Sequence, residues 1–379
     1  MSFLEYRVKQ APVGLRKVLF LNWPLVVLLS AVAAVGILML YSIAGGDFDT
    51  WARRQSQVFA VGLVAMFIVA MVPVWFWRSM AGLAYGLSFL LLLVVEFLGE
   101  TNMGARRWID FGFFQFQPSE MMKFALVMAL AAYYDGLDSK KTSRPLFVLI
   151  PVVLTVVPTV LVLMQPNLGT ALLLILAGAA VMFAAGVSLW YFGAVLALGV
   201  AAVVGVFTLR GTPWQFLHDY QYRRIDTFLD PTADPLGAGY NIIQAKIALG
   251  SGGWSGKGFM QGTQSRLNFL PEKHTDFIFT TLAEEFGFIG AFSLLGLYAL
   301  IIGFCLVAAF QNRDRFSALL IVGVAANFFF YIAVNLSMVM GMAPVVGVPL
   351  PLLSYGGSAM LVLLVAFGLV QSAHVHRPR

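Results

Sequence analysis

Ten stretches of this 379-residue chain stay apolar for about 20 residues at a time, and that spacing restricts the fold more than any motif does. Each is long enough, as a helix, to cross a hydrocarbon layer about 30 Å thick. Inside such a layer no water meets the backbone polar groups, so a helix that satisfies its own N–H and C=O groups is the expected element. The stretches run over 18–44, 57–72, 80–98, 118–134, 146–164, the segment opened by the 165–170 turn and ending near 186, 189–209, the segment from Asp276, 316–340 and 354–373. With 60% hydrophobic and 11% charged residues, too few polar side chains exist to coat a soluble domain of this size. The expected fold is an all-α integral membrane protein, one polytopic domain over 1–379 with ten transmembrane helices.

Charge sets the expected orientation. Arg7, Lys9, Arg16 and Lys17 precede the first span, and Lys140, Lys141 and Arg144 follow the fourth. Basic loops stay on the cytoplasmic side, so both termini are expected there. The formal charge of +6 therefore reads as a membrane-topology signal, and no nucleic-acid partner is expected. The first apolar run is too long for the core of a cleavable signal peptide. A single cysteine, Cys305, excludes an internal disulfide and a cysteine-based metal site, and its apolar setting suits a packed side chain.

Between the seventh and eighth spans apolarity collapses over 210–275, the one long extracytoplasmic loop. It carries Tyr220-Gln221-Tyr222-Arg223-Arg224, then Lys246, then Ser251-Gly252-Gly253-Trp254-Ser255-Gly256-Lys257-Gly258. Glycines let backbone N–H groups approach an anion, and the basic residues Arg223, Arg224, Lys246, Lys257, Arg266 and Lys273 suit an anionic headgroup. An ordinary set of glycine turns with solvated charges is the competing reading. The spacing is not that of a nucleotide-binding P-loop, which needs Ser or Thr after the lysine.

Acids then crowd the entry to the eighth span, where Glu272, Lys273, His274, Asp276, Glu284 and Glu285 fall within one short segment. Carboxylates at a membrane boundary are costly, and such residues usually act in binding, transport or catalysis. Thr275 is placed to N-cap this helix, with Asp276 in its first turn, where the dipole favours negative charge. Support of the helix start is the plain reading of Asp276. The chemical one is a base: an ionised carboxylate accepting a proton from an attacking hydroxyl. Glu284, two turns deeper, is a candidate ligand contact. Glu120 and Lys123, three apart at the start of the fourth span, share a helix face and can pair, either as a structural ion pair or facing a functional interior. The Gly- and Pro-rich segment 341–358, which includes Ser358, is irregular backbone of the kind tolerated at membrane depth when it lines a cavity.

Taken together these blocks resemble the SEDS family (shape, elongation, division and sporulation). The match includes Gly104 to Trp108, Gln117-Pro118-Ser119-Glu120 with Lys123, Gln165 to Ala171, Phe228 to Pro235, Gly237 to Gln244, Gly250 to Gly258, Leu270 to Gly290 and Pro349 to Ser358. Asn167 departs from the pattern, which leads one to expect Asp there. The resemblance implies a peptidoglycan glycosyltransferase in the bacterial cytoplasmic (inner) membrane that polymerises lipid II for cell elongation and rod shape. It implies a class B penicillin-binding protein (a transpeptidase) and the elongation machinery as partners. The family's catalytic aspartate falls on Asp276 and its ion pair on Glu120 and Lys123; Arg223, Arg224, Lys246, Lys257, Lys273, Glu284 and Ser358 are the expected substrate contacts. A divalent cation, Mg²⁺ or Mn²⁺, is expected as cofactor, with Asp276 as a candidate ligand and no dedicated cluster beyond the nearby acids. A sugar α-linked to pyrophosphate has an anionic leaving group, so one carboxylate suffices, unlike the two of glycosidases. Two rival functions share the polar residues: a flippase for lipid II, and a non-catalytic scaffold for the transpeptidase.

Overall fold

In a computed structural model the described residues are 14–98, 100–102, 105–110, 115–212, 215, 219–233, 238–267, 269 and 272–377. Arg7, Lys9 and Gly104 lie outside them, as do the side chains of Arg223 and Arg224. Helices come in the order α1 (Trp23–Ile43), α2 (Ala52–Met71), α3 (Val74–Leu98), α4 (Pro118–Asp135), α5 (Pro145–Met164), α6 (Leu168–Ala184) and α7 (Leu189–Thr208). They continue with α8 (Asp219–Leu229), α9 (Ala238–Ser251), the one-turn α10 (Thr263–Arg266), α11 (Ile278–Phe310), α12 (Arg315–Val339) and α13 (Gly357–Val375). Eight of them, α1, α2, α3, α5, α7, α11, α12 and α13, are long and apolar enough to cross a membrane. At 17 residues α6 is shorter, and α4 carries Glu120, Lys123 and Asp135, yet both pack inside the same bundle.

Packing follows the apolar faces. Along most of its length α13 lies on α2, while α12 is wedged among α4, α6 and α11. One cluster of buried side chains, among them Leu29, Met122, Leu174, Ile301, Phe328 and Phe367, joins these helices. Helix starts carry their own signals: Asn22, Asn167 and Asp314 accept hydrogen bonds from the first-turn amides of α1, α6 and α12. Cys305 is buried and unpaired, as expected. Helix α7 presents none of its residues to the bundle interior, so its surface is left for lipid.

The structure corrects three expectations. Over 99–117, expected as a polar loop, the described residues form a small antiparallel sheet of β1 (Glu100–Asn102), β2 (Ala105–Asp110) and β3 (Gln115–Phe116), with Asn102 opposite Ala105 and Ile109 opposite Phe116. Segment 210–275, expected as one long loop, holds α8, α9 and α10. Finally, α11 begins at Ile278, with Phe277 as a cap that makes no side-chain bond. Thr275 caps nothing: its hydroxyl donates to Glu272 Oε2 at 2.8 Å, and Asp276 sits in the turn before the helix.

A splice within α11 governs the loop above it. At Gly287 the backbone leaves the helix (φ 65°, ψ −161°), a region open essentially to glycine. The carbonyls of Glu284 and Glu285 thereby lose the amides of Phe288 and Ile289. Segment 252–258 supplies both sides of the missing bonds. Lys257 N and Gly258 N donate to Glu284 O and Glu285 O at 3.0 Å each, while Phe288 N and Ile289 N donate to Gly253 O and Trp254 O at 2.9 and 3.2 Å. Two backbones this close leave no room for side chains: a Cβ on Gly252 would lie 2.0 Å from Ala283 O, and one on Gly256 2.1 Å from Glu285 O. The glycine-rich segment thus commits Lys257 N and Gly258 N to α11, not to an anion.

On Gly287 an added Cβ would lie 2.3 Å from Gly256 N, whereas on Gly296, further along α11, it would meet nothing within 4 Å. Gly287→Ala should therefore lower stability by at least about 2 kcal/mol, backbone strain and overlap acting together. Gly296→Ala should be neutral or slightly stabilising. Thermal unfolding of the purified protein in detergent checks both, and equal midpoints for the two variants would contradict the splice.

Candidate functional site

The turn 272–276 and the irregular segment after α12 are tied together before either can present a side chain. Asn335, buried on α12, donates from Nδ2 to Asp276 O at 2.8 Å and to Val348 O at 2.7 Å. Ser354 Oγ donates to Thr275 O at 2.6 Å and accepts from Leu350 N, and Tyr355 N donates to His274 O at 2.9 Å. From below, Tyr298 Oη donates to Pro351 O at 2.7 Å, and Gln55 Nε2 of α2 donates to Ser354 O at 2.9 Å. Non-helical backbone at this depth keeps its polar groups satisfied through such side chains. At Gly347 (φ 70°) a Cβ would stand 3.6 Å from Asp276 Oδ2, so the chain passes close beside that carboxylate.

This scaffold walls a cavity of about 370 Å³. Asp276, Glu272 and Thr275 line it from the turn, Glu120 and Gln117 from α4, Arg107 and Trp108 from β2, Asn167 and Thr170 from the start of α6, Tyr331 from α12, and Tyr355 and Ser358 from the last segment. Burial, and after it the charge of Glu272, pushes the Asp276 carboxyl up to about 6. No described residue donates a hydrogen bond to that carboxyl.

The other buried acids are engaged, Glu285 through one of its two oxygens. Glu120 accepts from Lys123 Nζ at 2.6 Å and from Tyr331 Oη at 2.6 Å, with Lys123 Nζ also 4.1 Å from the centre of the Tyr331 ring. Lys123 is wholly buried, so the pair is a structural joint of α4 with α12, and only Glu120 reaches the cavity wall. Glu284 accepts from Lys257 Nζ at 2.6 Å and from the amides of Thr263 and Gln264, and Glu285 accepts from Ser42 Oγ at 2.5 Å. Arg107 donates to Gln165 O at 2.9 Å and also to Pro166 O, which holds the sheet against the α5–α6 turn.

Of the candidate residues, the cavity brings together Asp276, Ser358 and Glu120. Glu284 and Lys257 are given to each other and fasten the loop to α11. Lys246 is exposed on α9 beside Gly341, and Lys273 is buried, which lowers its pKa; neither is among the cavity-lining residues. Sequence reasoning gave no role to Arg107, Glu272 or Tyr331. Arg107 lay within a quoted block, and Glu272 four residues before Asp276 was a visible signal; Tyr331, in an apolar run, gave none.

Comparison with known proteins places the chain. Residues 17–379 match the model of the cell cycle protein family FtsW/RodA/SpoVE. The chain belongs to this family. It is 43% identical over 357 residues to peptidoglycan glycosyltransferase MrdB of Escherichia coli strain K12, covering 93% of each chain. To stage V sporulation protein E of Bacillus subtilis it is 34% identical over 357 residues, covering 91% of this chain and 94% of that one. Its fold is similar to the crystal structure of the rod shape determining protein RodA of Thermus thermophilus (TM-score 0.70, 30% identity, 95% and 98% of the two chains). It is also similar to a chain from work described as structural coordination of polymerization and crosslinking by a peptidoglycan synthase complex (TM-score 0.80, 32% identity, 93% and 97%). The chain thus has an all-α, RodA-like multi-pass membrane fold.

Lys123→Met leaves the Glu120 carboxylate buried without its cation and should destabilise the protein by about 3–5 kcal/mol. Replacing both partners, Glu120→Gln with Lys123→Met, should recover much of that loss. Thermal unfolding of the three proteins in detergent measures it; a double variant as unstable as the single one would contradict the pairing.

Proposed function

We propose that this chain, a peptidoglycan glycosyltransferase, polymerises lipid II at the outer face of the bacterial cytoplasmic membrane with Asp276 as general base. The observation that carries the reading is a carboxylate with no described hydrogen-bond donor, raised to about 6, in the wall of a cavity of about 370 Å³. In the step, an acceptor-sugar hydroxyl gives its proton to Asp276 as its oxygen bonds to the anomeric carbon of the donor. The bond from that carbon to the pyrophosphate oxygen breaks, and its electron pair leaves with undecaprenyl pyrophosphate. A single displacement inverts the α-linked centre to β. No general acid is needed because the leaving group is already an anion. Trp108 and Tyr355 flank the site and suit sugar faces. The rival flippase reading leaned on the polar residues within the spans. Glu120, Lys123, Glu284 and Glu285 are paired or bonded in place, which supports fixed structural roles over a moving polar path.

The proposed topology has ten spans, adding α4 and α6 to the eight apolar helices, with both termini cytoplasmic and 210–275 outside. A class B penicillin-binding protein is the proposed partner. For a divalent cation, Asp276 and Glu272 fit as two carboxylates, since Mg²⁺ commonly takes one or two of them and completes its shell with water and substrate phosphates. Among the described residues no group of three metal-ligating side chains occurs, so Mg²⁺ or Mn²⁺ would arrive chiefly with the pyrophosphate. Such an ion would neutralise charge on the leaving group.

One assay tests these points: lipid II polymerisation by the purified protein, with its transpeptidase partner, in lipid. Asp276→Asn should lose about 10²–10⁴-fold in rate while membrane insertion and partner binding persist. The base must be ionised, so the wild-type rate should fall about tenfold per pH unit below about 6 and level off above it. Glu272→Gln removes the neighbouring charge that raises this carboxyl, so the acid limb should move to lower pH. Chelation should slow the reaction and added Mg²⁺ or Mn²⁺ restore it. Equal rates for wild type and Asp276→Asn would remove the mechanism, and a rate indifferent to chelation would remove the cation.

A further inference from the structure

Beside the Asp276 cavity lies a second one of about 480 Å³ between α2 and α13, and the two share a wall: Trp108, Thr275, Tyr355, Gly356 and Ser358. Their charges differ in kind. The first is lined by three acids (Glu120, Glu272 and Asp276) and by Arg107, whose guanidinium already serves two backbone carbonyls. Among the described residues the second is lined by no acid and by one arginine, Arg54. Its neighbour Arg53 pairs with Asp49 at 3.0 Å, whereas Arg54 makes no ion pair among the described residues.

Two further groups point the same way. The 19-residue α13 begins at Gly357 in the wall of this cavity, with no side chain capping its first turn. Its first amides and the positive end of its dipole therefore favour an anion there. Ser358, only 5% exposed, borders both cavities, and its Oγ has no hydrogen-bond partner among the described residues. A buried hydroxyl without a partner is destabilising unless a ligand supplies one. His274, held against Trp51 with ring centres 4.8 Å apart, adds a further polar group. Along the same wall Val58, Leu361 and Val362 are apolar, as the first units of a lipid tail require.

We infer that the second cavity is the donor subsite: Arg54, the start of α13 and the Ser358 hydroxyl bind the pyrophosphate of the lipid-linked donor, while the acceptor sugar occupies the Asp276 cavity. This rests on the glycosyltransferase reading and divides its two substrates between the compartments. Charge favours the division, because a pyrophosphate beside Arg54 is attracted directly, whereas one among the three carboxylates would be held only through a bridging divalent cation. The reacting carbon and hydroxyl then meet at the shared wall, next to Thr275 and Asp276.

The test uses a lipid II analogue whose acceptor hydroxyl is removed, so that it can only donate, with unmodified acceptor, and the full-length protein with its transpeptidase partner in lipid. Arg54→Ala should raise the KM for this donor at least about tenfold, the usual size of one lost charge-assisted contact, and leave the acceptor KM unchanged. Arg54→Lys should restore part of the loss, and Ser358→Ala should raise the donor KM several-fold. Binding of the donor-only analogue, read without turnover, should be unchanged in Asp276→Asn and weakened in Arg54→Ala. A donor KM within twofold of wild type in Arg54→Ala, or a rise in the acceptor KM instead, would overturn the assignment while leaving Asp276 as the base. An active Asp276→Asn would fail the parent reading and not this subsite.

Discussion

A carboxylate buried beside hydrocarbon must be matched by a donor or a cation, and the structure turns on one acid that is not. Glu120 is met by Lys123 and Tyr331, Glu284 by Lys257 and two amides, Glu285 by Ser42. Asp276 is met by none of the described side chains; Glu120 and Glu272 line the same cavity but each accepts a hydrogen bond, whereas Asp276 has no described donor and its pKa is carried toward neutrality. The contrast is informative because all four occur in one protein under one constraint. Three acids serve packing, and the fourth is kept available.

Keeping it available is a structural task. The carboxylate stands on a turn, not on the helix that follows, so neighbouring backbone must fix it. Asn335 holds the turn through Asp276 O, Ser354 through Thr275 O, and Tyr355 through His274 O. Behind them the splice at Gly287 divides α11 into a short piece that carries Glu284 and a long one that crosses the bundle. Segment 252–258 is stitched to both pieces, so segment 210–275 and the helix bundle are joined by backbone hydrogen bonds. Movement of that segment would be transmitted to the first turns of α11 and hence to Asp276.

How much of this was legible beforehand depends on the range of the cause. Apolar runs are local, so the spans emerged, although α2 begins five residues and α3 six residues earlier than expected, and the caps at Asn167 and Asp314 went unread. The weight given to Asp276, Glu120 and Lys123 also followed from a local oddity, charge within apolar sequence. What stayed hidden was non-local. Nothing in Glu284 or Lys257 alone says that they belong to each other, and nothing in the glycines at 252, 256 and 287 says that two backbones meet. Arg54 and Arg107, 53 positions apart, line adjoining cavities only because the sheet, with β2 on α3 and α4 and β3 on α13, brings them side by side. The expected cap at Thr275 failed because the helix begins at Ile278, with Phe277 in the cap position and Thr275 in the turn before it.

The central claim is that Asp276 is an unpaired carboxylate held near neutrality by its burial and by Glu272. Its titration can be followed directly by carbon-13 NMR of labelled aspartate in the purified protein in lipid nanodiscs, assigned with Asp276→Asn. The account requires a midpoint about two pH units above that of an ordinary aspartate, near 6. A midpoint at or below 4 would mean a solvated or ion-paired side chain, and the account would fail.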